Sequence, residues 1–310
     1  MCIRDRNITL RHFTIFICVC EENNMTHAAR RLHMTQPSVS QVIQEIEGLY
    51  GTRLFERLGR SLHITSAGKR LLQYAYQIVS LTKQIEATMT SFQTTIPLRI
   101  GASVSIGEFC LIEYLHFLHT YRKQAPIFSE IHNTTELESM LLCDKLDFAL
   151  LEGAIRSEYI ITLPFMEDEL IIAVPPQHPL VKKGRIQLSD LRNFPMFLRE
   201  EGSGTRNLFT HIMEEHHIPF QICGVYNNTE SLKKAVLAGL GGTVLSRHLV
   251  RKEWENGELG ILYIENDLFH RHFKIAYHKD KFLFPALQDA LTICRDYTRW
   301  FPGTFFTARS

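Results

Sequence analysis

The chain has 310 residues, beyond the ~100–200 of one ordinary domain, so two or more compact units are expected. Hydrophobic residues make up 45% and charged residues 22%, the composition of a folded globular protein, and this excludes wholesale disorder. The net charge is +1, yet the first 94 residues hold eleven Lys/Arg against seven Asp/Glu; the basic surplus lies at the front, as in a nucleic-acid-binding head on a near-neutral body.

The richest apolar stretches, Phe13 to Cys20 and Leu170 to Val174, fall short of the ~18 residues of a membrane helix, so no membrane partner is expected. Met1 to Arg6 is too polar to open a secretory leader, and a cytoplasmic location is the expectation. Seven cysteines are scattered without CxxC pairs, which argues against zinc and disulfide frameworks. His216-His217 and His270-Arg271-His272 lack a partner cluster at ligand spacing and read as surface residues. No metal and no cofactor are expected.

From Leu10 the apolar positions Leu10, Phe13, Ile17 and Cys20 recur at helical spacing and predict a first helix. A short second helix runs from about Thr26 to Leu32, capped by Asn24 or Thr26, with Ala28, Ala29 and Leu32 on its inner face. Thr35 caps a third helix with Pro37 in its first turn, where a missing N–H costs nothing, and Val39, Ile43 and Ile46 mark the buried stripe. That stripe leaves Gln36, Ser38, Ser40, Gln41 and Gln44 as uncharged polar groups on the remaining face. Short hydroxyls and amides suit a helix that meets base edges, where a merely solvated helix usually carries Lys and Glu. Two helices joined by a brief turn, the second one polar, make a helix-turn-helix; the competing reading is a plain bundle with a Ser/Gln-rich face. Leu54-Phe55-Glu56-Arg57 and Leu62-His63-Ile64 then flank a glycine turn and predict a small hairpin, or wing, with Arg53, Arg57 and Arg60 close together.

Ala28-Ala29-Arg30-Arg31-Leu32-His33, Thr35-Gln36-Pro37-Ser38-Val39-Ser40, Ile43 to Glu47, Leu54-Phe55-Glu56-Arg57 and Thr65-Ser66-Ala67-Gly68 resemble, in order and spacing, the LysR-type transcriptional regulators. The resemblance implies a winged helix-turn-helix over residues 7–65, with the third helix in the major groove and the wing beside the minor groove. By motif position, Gln36, Pro37, Ser38 and Gln41 face bases, Thr35, Ser40 and Arg53 hold phosphates, and Arg60 is the wing residue. Many relatives carry arginine where Gln41 stands, so adenine rather than guanine is expected at that step.

A long helix follows over residues 66–94. Leu71, Ala75, Ile78, Thr82, Ile85, Met89 and Phe92 recur at alternating spacings of four and three, a heptad seam. The alternatives are pairing with a second chain and burial against its own chain. In the resembled family this helix pairs two subunits, so Leu71, Ala75, Ile78, Ile85 and Met89 are the expected dimerisation contacts, in a homodimer or homotetramer on double-stranded DNA.

Past Ile96-Pro97, strand and helix signals alternate, an α/β pattern. Strands are read at Leu98 to Ala102, Ile127 to His132, Phe148 to Leu151, Leu170 to Val174, Gln221 to Tyr226 and Phe273 to Tyr277. Helices are read at Ile106 to Tyr121, Glu136 to Leu142, Leu188 to Leu191, Thr205 to Glu215, Glu230 to Ala238 and Pro285 to Trp300. The order is similar to the two-lobed effector domain of LysR-type regulators, related to periplasmic binding proteins. It implies an effector domain over 95–303, with lobe I at 95–165 and 268–303 and lobe II at 166–267. A small-molecule effector, polar or anionic, is expected between the lobes, where strand ends meet helix starts. Ser103, Ser105, Asn133, Thr134, Ser203, Thr205, Asn228 and Thr229 lie in four strand-to-helix turns and are the candidate contacts; the alternative for each loop alone is a plain helix cap. Glu152-Gly153 either lines the cleft or ends a strand, and Arg206 either faces it or pairs with Glu200 or Glu201.

Catalytic residues are not expected. Gly202-Ser203-Gly204 is no nucleophile elbow, and Gly239-Leu240-Gly241-Gly242 lacks dinucleotide-loop spacing. The alternative function is a small-molecule-binding enzyme of the same two-lobed fold, its N-terminal helices serving only assembly.

Overall fold

The structure, a computed structural model, describes residues 8–58, 61–90, 97–121, 126–183, 185–265 and 268–301. Two compact units emerge, the first of residues up to 96 together with 142–144 and the second of the rest.

In the first unit, α1 (Leu10–Glu22), α2 (Met25–Arg31) and α3 (Gln36–Tyr50) precede a two-stranded antiparallel wing, β1 (Phe55–Leu58) and β2 (Ser61–Ile64), and the long α4 (Ser66–Thr90). The starts of α2 and α3 are set by local chemistry: Asn24 Oδ1 accepts from the amides of Thr26 and His27 at 2.8 and 3.1 Å, and Thr35 Oγ1 accepts from that of Ser38 at 3.4 Å. Gly51, at φ +63°, ends α3 in the left-handed turn that glycine adopts without strain. The core gathers Phe16, Val19, Ala28, Val39, Ile43, Ile46 and Leu54.

α1 is packed by α2, α3 and α4 together and buries the run Ile15–Val19, while Leu10 at its start is exposed. One expectation needs correction here. Ala75 is fully buried, and half-buried Leu71 packs beside it, within the core of their own head. The first turns of α4 therefore cover α1. Ile78, Ile85 and Met89 stay exposed, at 39%, 54% and 67%, and Phe92 lies outside the described residues.

The second unit is two-lobed. Lobe I carries the parallel strands β3 (Leu98–Ala102), β4 (Ile127–Ile131) and β5 (Phe148–Leu151), with α5 (Val104–Phe109), α6 (Leu111–Tyr121) and α7 (Thr134–Leu142) following strand ends. The single helix expected over 106–121 is interrupted at Cys110, whose φ of −145° leaves the helical region. β6 (Ile160–Val174) then runs from one lobe into the other, well beyond the apolar run that signalled it. Lobe II follows with β7 (Arg185–Ile186), β8 (Pro195–Arg199), α8 (Gly204–Glu215), β9 (Gln221–Tyr226), α9 (Thr229–Leu237), β10 (Gly242–Ser246), α10 (Arg251–Glu255) and β11 (Gly260–Ile264). β12 (His270–His278) returns antiparallel along β6 to β5, and α11 (Pro285–Arg295) packs back on lobe I; a 3-10 turn at Tyr297–Arg299 replaces the rest of the helix expected to Trp300.

Among the described residues the strands form one ten-stranded sheet whose main path is β4-β3-β5-β12-β6-β10-β8-β9, so β6 and β12 are the crossover shared by both lobes. The second half of β6 alternates between two cores. Leu170, Ile172 and Val174 join Phe209 and Met213 on one face, while Ile171 and Ala173 join Leu232 and Val236 on the other, which is why its sequence is continuously apolar.

Candidate functional site

Two sets of polar residues stand out, one exposed and one buried. On α3, burial of Val39, Ile43 and Ile46 turns Ser38, Gln41 and Gln44 to solvent, with Thr35 and Pro37 exposed beside them and Gln36 and Ser40 half-buried. Thr35 and Ser38 share a hydroxyl contact at 2.8 Å. Gln41 donates its amide to Glu45 Oε1 at 2.9 Å, and Glu45 Oε2 meets His12 Nε2 at 3.1 Å; the Gln41 amide, then His12, hold the Glu45 carboxyl below its ordinary pKa. That bond uses one of the two N–H donors of Gln41, so a donor and the carbonyl acceptor of its amide remain for another partner. Arg53 is exposed on the loop before the wing; its carbonyl accepts the Thr65 hydroxyl at 2.8 Å, while Glu47 Oε1 receives the Leu54 amide at 2.7 Å. Arg60 lies outside the described residues.

The second set gathers where the lobes touch. Ser103, Ser105, Thr134, Ser203, Thr205 and Thr229 are all at most 3% exposed, although each sits at or just before the start of a helix. Ser103 gives its hydroxyl to Glu152 Oε2 rather than capping α5. Ser105 and Thr205 meet across the lobes at 3.4 Å, and the Thr135 amide reaches the Gly202 carbonyl at 3.3 Å. A Cβ on Gly153 would run into the Thr134 side chain of its own lobe, and one on Gly204 would meet the Gly153 backbone at 2.7 Å, so the missing side chain of Gly204 lets the lobes approach this closely. The fourth turn joins at the end of α5, where the Thr229 amide donates to Glu108 Oε1 at 3.4 Å. Asn133 and Asn228 have another job, their Oδ1 atoms capping α7 and α9 through the amides of Glu136 and Ser231 at 3.0 and 2.8 Å.

A charge holds this buried group together. Arg271 on β12 faces its cross-strand partner Asp168 on β6, donating Nε to Asp168 Oδ2 at 2.6 Å and Nη1 to Thr205 Oγ1 at 3.0 Å, with Glu152 Oε1 at 3.9 Å. Asp168 Oδ1 accepts the Ser246 hydroxyl at 2.6 Å. The His248 ring lies 3.8 Å from the same oxygen and stacks on Phe109; burial drives its pKa below the ordinary 6.5, so it adds no positive charge near neutral pH. The triplet His270-Arg271-His272 was expected at the surface, and for Arg271 that reading is wrong. Strand alternation places Phe269, Arg271, Phe273 and Ile275 inward and leaves His270 and His272 outside. That period-two pattern was present in the sequence and is the signal that finds Arg271. Arg206, in contrast, braces the outside of its loop, with Nη1 on the Arg199 carbonyl at 3.2 Å and Glu201 at 3.6 Å.

Residues 10–69 match the family model described as the bacterial regulatory helix-turn-helix protein of the lysR family, and residues 93–299 match the LysR substrate binding domain. The chain belongs to the LysR-type transcriptional regulators. It is a DNA-binding regulator of transcription whose C-terminal domain binds a small-molecule effector. Among its relatives, the transcriptional regulator CysL of Bacillus subtilis is 35% identical over 84% of this chain and 88% of its own. Among solved structures, a full-length single-residue variant of OxyR from Pseudomonas aeruginosa shares the fold with a TM-score of 0.61 at 21% identity, covering 94% of this chain and 95% of that one. The regulatory domain of Synechocystis CcmR, solved with 2-PG, has a TM-score of 0.62 at 22% identity and covers 66% of this chain and 97% of that one. No helix of the described residues is long and apolar enough to cross a membrane.

Proposed function

We propose that the regulator reads a DNA sequence with Gln36, Pro37, Ser38 and Gln41 against base edges and with Thr35, Ser40, Arg53 and Arg60 on phosphates. The observation that carries this reading is the division of α3, with Val39, Ile43 and Ile46 turned inward and Ser38 and Gln41 left in the open. The remaining N–H and carbonyl oxygen of Gln41 suit adenine, which offers an acceptor and an amino group side by side in the major groove. Residues 7–65 act as the reading head, 66–94 as the linker and 95–303 as the effector domain, lobe I being 95–165 with 268–303 and lobe II 166–267. The chain acts in the cytoplasm as a homodimer or homotetramer, paired through the exposed Ile78, Ile85 and Met89 of α4, and it catalyses no reaction.

The effector sits between the lobes and carries an anionic group. Arg271 and the buried hydroxyls of Thr134, Thr205 and Thr229 support this placement, as does the small anion 2-PG held by the CcmR domain. On entry it takes over the direct Ser105–Thr205 and Thr135–Gly202 contacts and so changes how the lobes meet.

Fluorescence anisotropy on a duplex enriched from genomic fragments tests the reading. The expected result is saturable, sequence-selective and salt-sensitive binding that shifts when effector is added; binding indifferent to sequence overturns it. Replacing Ile85 and Met89 with Asp is expected to lower the oligomeric mass seen by light scattering, and an unchanged mass rejects the α4 pairing.

A further inference from the structure

The buried group at the lobe seam has a mismatch in its hydrogen bonding that points to the chemistry of its ligand. Arg271 is 7% exposed, and its Nη2 nitrogen, with two N–H donors, meets no acceptor among the described residues. Beside it, Glu152 is 5% exposed; its Oε2 is taken by Ser103, while Oε1 accepts no hydrogen bond among the described residues and lies 3.9 Å from Arg271 Nη1. The hydroxyls of Thr134 and Thr229 are likewise buried and unpartnered. A buried strong donor without an acceptor thus stands beside a carboxylate oxygen that accepts no hydrogen bond, in a place where burial makes an unmet donor costly.

The charges point the same way. Arg271 is neutralised by Asp168 at 2.6 Å, so Glu152 is left as an excess negative charge. A bare anion placed on Arg271 would sit against the Glu152 oxygen and be repelled by it. A ligand with an acceptor and a donor in close succession satisfies both.

We propose that the effector is a small carboxylic acid with a hydrogen-bond donor, ammonium or hydroxyl, on the carbon next to the carboxylate; the carboxylate engages Arg271 Nη2, and the donor engages Glu152 Oε1. The inference rests on the lobe seam being the effector site. Glu152 is then the residue that selects among acids: it favours α-amino and α-hydroxy acids and turns away inorganic dianions, specificity arising from repulsion as well as attraction.

Calorimetric titration of the full chain with propionate, L-lactate, L-alanine and inorganic sulfate tests this, because the three organic acids differ only in the donor. At least one of L-lactate and L-alanine is expected to bind about tenfold or more tighter than propionate and sulfate. A preference for L-alanine identifies the ammonium source and one for L-lactate the hydroxyl source. Glu152→Gln, which keeps the shape, is expected to erase most of that gap, and Arg271→Lys, which keeps the charge facing Asp168 but loses the forked donor, to weaken every acid. Propionate or sulfate binding as tightly as the donor-bearing acids overturns the proposal, and so does silence from all four at millimolar concentration. Titrations that discriminate equally well in the wild type, Glu152→Gln and Arg271→Lys would place binding elsewhere. The reading of the seam as effector site fails separately, if the DNA-affinity response to a broad metabolite panel survives both Arg271→Lys and Thr205→Val unchanged.

Discussion

In the head, Ser38 and Gln41 stand in the open on one helix, three residues apart, while at the lobe seam Thr134, Thr205 and Arg271 come from distant strand ends and are almost wholly buried. On the roles proposed for them, the difference follows from what each region meets. A duplex is large and arrives from outside, so its reader is a rigid helix whose polar face needs no protection. A small molecule must be enclosed before a few hydrogen bonds can distinguish it, and the reader proposed for it is therefore assembled from buried helix starts and one strand. Damage to the first region is then expected to cost recognition with little loss of stability. Damage to the second costs stability first.

The largest expected effect tests that asymmetry. Arg271→Met leaves Asp168 and Glu152 buried beside an apolar side chain, and a loss of about 3–5 kcal/mol in urea denaturation is expected, confined to the transition of the effector domain. A loss under about 1 kcal/mol would mean the buried charges relax to solvent, and the contrast between regions would fail. A second substitution sharpens the point within lobe I. Burial pushes the Asp147 carboxyl up, but Lys281 at 2.7 Å and Arg99 at 2.7 Å outweigh it and hold the pKa below the ordinary 3.8. Because the folded value is the lower one, the stabilisation is complete above the unfolded value and fades as pH falls through the folded one. Asp147→Asn is expected to cost about 3 kcal/mol at neutral pH, with the gap to wild type narrowing in denaturation below about pH 4. A gap independent of pH would show that the charge is not what matters. The smallest effect belongs to the wing: Arg60→Ala is expected to weaken binding to all duplexes alike and to reduce the salt slope by about one ion, leaving stability unchanged. An unchanged slope removes Arg60 from the phosphate contacts.

The same contrast explains what the sequence disclosed. The head is local: Asn24, Thr35 and Gly51 each fix a helix end through neighbours a few residues away, so cap chemistry and a helical stripe suffice to place α1, α2 and α3. It misled at Ala75, since a heptad seam records an apolar face and not which surface covers it. In the effector domain the first half of β6 passed unread because Thr162, Pro164, Glu167, Asp168 and Glu169 break any apolar run; its strand character comes from pairing with β12, a contact made only after the chain has gone round lobe II. β8, β10 and β11 are five residues each and were missed for the same reason, their identity resting on neighbours rather than on their own pattern. The hydroxyls of the seam were named from their turns. Arg271 was not, because a charge between two histidines looks like surface until the alternation of its strand is counted.

The central claim is that α3 reads bases. Anisotropy titrations of Gln41→Ala against a duplex substituted one base pair at a time test it directly. The expected result is a loss of about 1–3 kcal/mol of discrimination at a single base-pair step, with affinity for unrelated DNA and thermal stability both unchanged. Discrimination kept at every step, or affinity lost equally across all sequences, would contradict it.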